Sequence, residues 1–267
     1  MDTKKIALIT GGLSGIGLEL VKHYLGAGYW VAILDLPQRE TLSDSLTADV
    51  LRIVQGLDTR YLSANIANQQ QVNQVIKTLV SDWGAPDLVV NCAGILRAGP
   101  FSELSAQDFT QSYQVNVLGS RHLAAACLPV MEQGSHFAFI ASMAGTVGIY
   151  GYSAYGSSKF AVLGFAQCLR CEYAGHIDIS VICPPEIDTP MVQTEIQTMH
   201  PATRVLKDFA GRLTLSEAVP QIIKGLERRR FMIIPGFLAK CTFWMNRIAP
   251  IWLQNAIMDW LVKRTTQ

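Results

Sequence analysis

Charge is scarce in this sequence and almost balanced. Asp, Glu, Lys and Arg make up 16% of its 267 residues and sum to +1. That leaves no electrostatic footprint for nucleic acid. Uninterrupted apolar runs of roughly twenty residues are also missing, which argues against a membrane-spanning helix. The start, Met1-Asp-Thr-Lys-Lys5, passes directly into a strand-like run with no secretory leader, so a cytoplasmic chain is expected. The six cysteines form no disulfide framework. Cys168-Leu-Arg-Cys171 has no second pair at zinc spacing and falls in a helical pattern, where i and i+3 share a face. It reads as structural, in a reducing compartment, and no metal site is expected. No repeat, linker or low-complexity tract divides the chain, so one domain over residues 1–267 is expected.

What is present is apolar: 49% of the residues are hydrophobic, enough for a sizeable core. Lys5 to Thr10 reads as a buried parallel strand, followed by Gly11-Gly-Leu-Ser14-Gly15-Ile16-Gly17 and then helical periodicity from Leu18 to Leu25. Strand, glycine loop and helix make a phosphate cradle, with glycines admitting the backbone and helix N–H groups facing the anion. The spacing is G-x-x-x-G-x-G rather than G-x-G-x-x-G. Tyr29 to Leu34 reads as the second strand, with Asp35 at its end. A carboxylate there can bind the adenosine ribose hydroxyl and repel a 2′-phosphate, which favours NAD(H) over NADP(H). Neither Ser14 nor Leu36 offers a base for that phosphate, and Arg39 belongs to a polar turn.

Further strands are expected at Arg60–Ala64, Asp87–Val90, Phe137–Ala141, Ile177–Cys183 and Phe231–Ile234. Helical patterns lie at 68–83, 107–133 and 153–173. The alternation predicts an α/β fold: a doubly wound parallel sheet of about seven strands with helices on both faces. The third strand ends at Asn65-Ile66 and the fourth runs into Asn91-Cys-Ala93-Gly94. Asn116 falls inside a helical pattern, where its amide competes for backbone hydrogen bonds; it is either a tolerated polar residue or one that opens the helix to hold a water.

The chemistry is expected in Ser142 to Lys159. Tyr155 and Lys159 are one helical turn apart on one face. An ammonium held near a phenol favours phenolate and lowers its pKa, which suits proton transfer near neutral pH. Ser142 follows the fifth strand and is expected to point across at the tyrosine, holding a carbonyl or alcohol oxygen beside the phenol.

Together, Thr10-Gly-Gly-Leu-Ser-Gly-Ile-Gly17, Asn91-Cys-Ala-Gly94, Asn116, Ser142, Tyr155-Gly-Ser-Ser-Lys159 and Pro184 to Thr189 resemble the short-chain dehydrogenase/reductase family. The matches span residues about 5–191 in the family's order. The resemblance implies a Rossmann-type domain, a nicotinamide cofactor, and hydride transfer between a ketone and a secondary alcohol. It implies Tyr155 as acid/base, Lys159 on the nicotinamide ribose, Ser142 on the substrate oxygen, and Asn116 holding a water that links Lys159 to solvent. Gly11, Ser14, Gly15, Ile16 and Gly17 would surround the pyrophosphate, with Asp35 on the adenosine ribose and Asn65 and Ile66 near the adenine. Asn91, Ala93 and Gly94 would line the cleft; Pro184, Ile187 and Thr189 would flank the carboxamide. Asn65 stands where the family commonly has aspartate, and Pro184-Pro185 replaces the usual Pro-Gly. Pro184-Pro-Glu-Ile-Asp-Thr-Pro190 is similar to the 3-ketodihydrosphingosine reductase branch, which reduces a long-chain keto-lipid, usually with NADPH. Family likeness also implies pairing through the helices at 107–133 and 153–173, as a homodimer or homotetramer.

Residues 191–215 are expected to cover the substrate, and their apolar content points to a lipophilic one. An apolar helical extension is expected over 236–267, with Pro250 opening its final helix. Two readings of this extension stay open: packing on its own domain or a partner subunit, or lying at a membrane surface with tryptophans at the boundary and cations beside them.

Overall fold

The computed structural model describes residues 4–37, 46–197 and 199–265. Six strands in chain order, β1 (Ile6–Thr10), β2 (Trp30–Asp35), β3 (Thr59–Ser63), β4 (Leu88–Asn91), β5 (His136–Ile140) and β6 (Asp178–Ile182), join the later β9 (Met232–Ile233) in one sheet. Its order is β3-β2-β1-β4-β5-β6-β9, and every neighbouring pair is parallel. The strands are short, apolar and β-branched, as strands covered on both faces must be. Side chains alternate between two cores: Leu8 packs into one, Ala7 and Ile9 into the other.

Helix Gly15–Gly26 and helix Leu215–Glu227 cover one face through Leu20, Val21, Val219 and Ile222. Helix Gln69–Trp83, the helical run 106–127 and helix Ser153–Glu172 cover the other, with Val72, Ile76, Leu123, Val162 and Ala166. The chain winds outward from β1 to β3, then returns to start the other half at β4. Ligands of such sheets bind where that order reverses, outside the carboxyl ends of the strands. Here the reversal lies between β1 and β4.

Three differences from the expected elements have local causes. Helix 106–127 ends before Gln133, since Leu128 to Val130 turn away from it. Its middle, Tyr113–Leu118, is a π-type turn around Asn116. Between β6 and helix Leu215–Glu227 there is a second, two-stranded sheet of β7 (Glu186–Ile187) and β8 (Arg212–Leu213). It brackets helices Pro190–Ile196 and Pro201–Asp208, so the segment is ordered by its own backbone pairing.

The chain finishes in helices Phe237–Ile248 and Ile251–Lys263, with Pro250 as the N-cap of the second rather than inside its first turn. The second packs on helix Pro201–Asp208. Only Ala239, Thr242 and Leu261 of the pair are buried, while Phe237, Trp244, Ile248 and Trp252 are exposed. Among the described residues no helix is long and apolar enough to cross a membrane.

Candidate active site

A cleft of ≈ 350 Å³ opens where the strand order reverses, and it runs from Asp35 past the glycine loop to Tyr155 and Ser142. Its floor is glycine for a steric reason. Gly11 has φ +62° and Gly15 φ +53°, and a Cβ on Gly17 would lie 2.2 Å from the Gly11 carbonyl oxygen. Ser14, the N-cap of helix Gly15–Gly26, makes no side-chain cap hydrogen bond, and the first turn carries no acid. The helix N-terminus therefore faces the cleft with its N–H groups, as an anion site requires.

Asp35 ends β2 at the rim. Its Oδ2 accepts from the Leu13 N–H (3.1 Å) and its Oδ1 from Leu36 N–H (2.8 Å), which fixes the carboxylate beside the loop. Asn65, Ile66, Ala93, Gly94, Pro184, Ile187 and Thr189 all line the cleft as well. The Asn65 Oδ1 also accepts from Ala67 N–H at 2.9 Å, in a local turn. Thr189 closes over Gly15, where an added Cβ would come within 3.4 Å of its methyl. Arg39 lies outside the described residues.

Two expected site residues stand behind the cleft wall. Asn91 is buried; its Oδ1 accepts from the Thr10 hydroxyl (2.7 Å) and its Nδ2 donates to Ser120 Oγ (2.8 Å). Ser120 in turn donates to the Asn116 carbonyl, and Thr10 Oγ1 accepts from Ala93 N–H. This chain ties the ends of β1 and β4 together, so Asn91 shapes the cleft without lining it. Thr10 and Ser120 share that work, and only their spatial juxtaposition identifies it.

Asn116 is the second. Its Oδ1 accepts from Ile95 N–H (2.9 Å) while its Nδ2 donates to Ile95 O (3.0 Å) and Ser158 Oγ (2.9 Å). The amide that would disturb an α-helix is satisfied across the fold, and the helix widens into the π turn around it. A Cβ on Gly94 would lie 3.1 Å from Asn116 Oδ1 and 3.4 Å from Lys159 Nζ, so both groups converge on that glycine.

Tyr155, Lys159 and Ser142 meet at the inner end. The helix from Ser153 sets Tyr155 and Lys159 on its buried face, with Lys159 Nζ donating to Ile140 O at 2.9 Å. Ser142 follows β5 by two residues and caps the short turn Met143–Gly145, its Oγ accepting from Ala144 N–H at 3.1 Å. It lines the cleft together with Tyr155.

The electrostatics correct the expectation of a lowered tyrosine. Burial pushes Tyr155 up to about 12, against the smaller opposing pull of the Ser142 hydroxyl. Lys159 lies 5.7 Å from the ring centroid and is itself pushed down to about 8 by burial. Desolvation is the largest cause for both groups. Cys92 and Cys183 beside them are pushed up to about 12 for the same reason and stay neutral thiols.

Beyond Tyr155 is a group that the sequence reading missed. Tyr152, packed edge-on against Tyr155 with centroids 5.3 Å apart, donates to Glu195. Lys207 Nζ contacts Glu195 Oε2 (2.8 Å) and Glu186 Oε2 (2.6 Å), and Glu186 also pairs with Arg204 and Arg212. The residues come from five segments, and no local pattern announces them.

With this geometry in place, comparison with known proteins is decisive. The short chain dehydrogenase family profile matches residues 5–200. The chain belongs to this family. The bovine 3-ketodihydrosphingosine reductase is 29% identical over 228 residues, covering 84% of this chain and 69% of the relative. The Dictyostelium discoideum protein of that name is 31% identical, covering 86% and 74%. A 3-beta-hydroxysteroid dehydrogenase of Comamonas testosteroni is 30% identical, covering 87% and 92%. Among solved structures, a short-chain dehydrogenase/reductase from Burkholderia phymatum in complex with NAD superposes with TM-score 0.75 at 23% identity, over 92% of each chain. The short-chain dehydrogenase is thus an oxidoreductase working with a nicotinamide cofactor.

Proposed function

We propose that this short-chain dehydrogenase interconverts a lipophilic ketone and its secondary alcohol, using NAD(H) in preference to NADP(H). The observation that carries the reading is the convergence of Ser142, Tyr155 and Lys159 at the inner end of the glycine-floored cleft. When bound, the nicotinamide supplies the hydride. Gly11, Ser14, Gly15, Ile16 and Gly17 would hold its pyrophosphate, and Lys159 would bind its ribose. Ser142 donates to the substrate oxygen, and Tyr155 gives that oxygen its proton. A phenol at about 12 is protonated at neutral pH, so the proton is in place for reduction. Lys159 at about 8 keeps most of its charge there and favours the phenolate that forms.

Asp35 supports the preference for NAD(H), since its charge opposes a 2′-phosphate at the rim. Support for a lipophilic substrate comes from the reductases named for 3-ketodihydrosphingosine among the relatives, and from apolar Met191 and Val192 on the cleft wall. In this reading residues 191–215 cover the substrate. The exposed Phe237, Trp244, Ile248, Ile251 and Trp252, with Lys240, Arg247, Lys263 and Arg264 near them, suit a lipid surface with anionic headgroups. Exposed Tyr113, Leu118 and Phe160 support pairing of two chains through the helices at 106–127 and 153–172.

The test is NADH oxidation with 3-keto compounds of increasing chain length, with Tyr155→Phe as control. The reading expects a rate that climbs with chain length and disappears in the variant. A rate independent of length would move the substrate to a small soluble alcohol, sugar or acyl thioester. Failure of the protein to float with anionic lipid vesicles would remove the membrane contact.

A further inference from the structure

A second cavity of ≈ 80 Å³ adjoins the reaction site, and Ser142 and Tyr155 form one side of it. Its other side is ionic: Glu186, Glu195 and Lys207 line it, with Tyr152. All three charged side chains are almost fully buried, at 2%, 3% and 7% exposure. A cavity meant only for hydrocarbon gains nothing from such groups, because charges taken out of water carry a large desolvation cost. Among the described residues the ion pairs here join three cations, Arg204, Lys207 and Arg212, to three carboxylates, Glu186, Glu195 and Asp208. These named charges balance one for one. Lys207 gives two of its three ammonium protons to Glu186 and Glu195, and its nitrogen lies over the Tyr152 ring at 5.5 Å.

We propose that Lys207 and Glu195 are specificity-determining residues that bind a hydroxyl group on the carbon next to the reacting carbonyl. This deepens the ketone reading and rests on it. The volume has room for a hydroxymethyl group. A hydroxyl suits both partners, since it accepts from the ammonium and donates to the carboxylate. A neutral group also preserves the balance of charge, whereas an ammonium or a carboxylate would leave one uncompensated ion in a dry site. The apolar remainder of the substrate then leaves past Val192 and Leu206. The preferred substrate is an α-hydroxyketone with an apolar tail.

The experiment compares kcat/KM with NADH for a 2-alkanone and the 1-hydroxy-2-alkanone of equal length, plus the matching 1-amino ketone and 2-keto acid. The wild type prefers the hydroxyketone over the alkanone by at least about tenfold, the worth of one hydrogen bond to a charged group. It also prefers it over both charged analogues. Lys207→Met and Glu195→Gln bring the hydroxyketone-to-alkanone ratio close to one, mainly through KM for the hydroxyketone. A general loss of folded enzyme lowers both rates together and leaves the ratio, so the ratio separates recognition from scaffolding. Where Lys207→Met does not fold, the near-isosteric Glu195→Gln carries the test. A wild-type ratio near one, a charged analogue preferred, or a ratio unchanged in the folded variants overturns the inference and spares the ketone reading. Absence of turnover with every ketone, with NADH still bound, overturns both.

Discussion

Gly17 stands so close to Gly11 that a Cβ on the first would lie 2.2 Å from the carbonyl oxygen of the second. Backbone has no flexible end to swing aside, so the loop itself must move. Gly17→Ala is expected to weaken NADH binding by at least about tenfold, because the displaced loop no longer presents its N–H groups together. Fluorescence titration with NADH reads this directly. Unchanged affinity would show that the loop is not the phosphate cradle.

Tyr155 and Lys159 both bound the pH profile on its alkaline side. Tyr155 must be protonated to reduce a ketone, and at about 12 it stays so across the working range. Lys159, pushed down to about 8, loses its charge first. Reduction should hold level below that point and fall as pH rises through about 8. Lys159→Arg, whose charge does not titrate, should lose that alkaline limb at whatever rate remains. Tyr155→Phe should lower kcat by about 10²–10⁴-fold while NADH affinity stays within a few fold.

Asp35 is expected to decide between the two nicotinamide cofactors by charge. Asp35→Asn keeps an oxygen for one of the two N–H donors, Leu13 or Leu36, and removes the repulsion of a 2′-phosphate. The ratio of kcat/KM for NADPH to that for NADH should rise about tenfold or more. A ratio that does not move would assign cofactor choice to other residues.

His136 makes the fold sensitive to acid. It is buried in β5, and its Nε2 lies 2.7 Å from Ser180 Oγ. Ser180 gives its own proton to Arg230 O, so Nε2–H of His136 is the donor. Burial lowers the imidazole from 6.5 to about 3. The unfolded chain takes up a proton below pH 6.5 that the folded chain refuses until about 3, so stability drops as pH falls between those values. From pH 6.5 to 5 the loss is about 2 kcal/mol. Urea unfolding of wild type against His136→Asn should show a steeper acid loss in the wild type. Parallel curves would contradict this.

Much of the architecture was legible because it is local. Apolar runs bounded by glycine placed each strand of the main sheet to within a residue or two, and Tyr155 and Lys159 declared their shared face by spacing alone. Asn116 was legible as an anomaly in a helix, and the π turn is the form that anomaly takes. The extra pairing of Glu186–Ile187 with Arg212–Leu213 was not legible, because two-residue strands carry no periodicity. The final Ile251–Lys263 helix was expected, but its seat on helix Pro201–Asp208 was not.

The sequence by itself determined the α/β winding, the glycine-floored cradle and the shared helical face of Tyr155 and Lys159, since each depends on residues close together in the chain. Tertiary structure decided how those groups behave. Burial raised Tyr155 and lowered Lys159, because desolvation depends on everything packed around a group and not on its neighbours in sequence. Long-range packing withdrew Asn91 from the cleft into a hydrogen-bonded chain with Thr10 and Ser120. The same packing brought Tyr152, Glu186, Glu195 and Lys207 together beside the reaction site, where only folding could neutralise their charges.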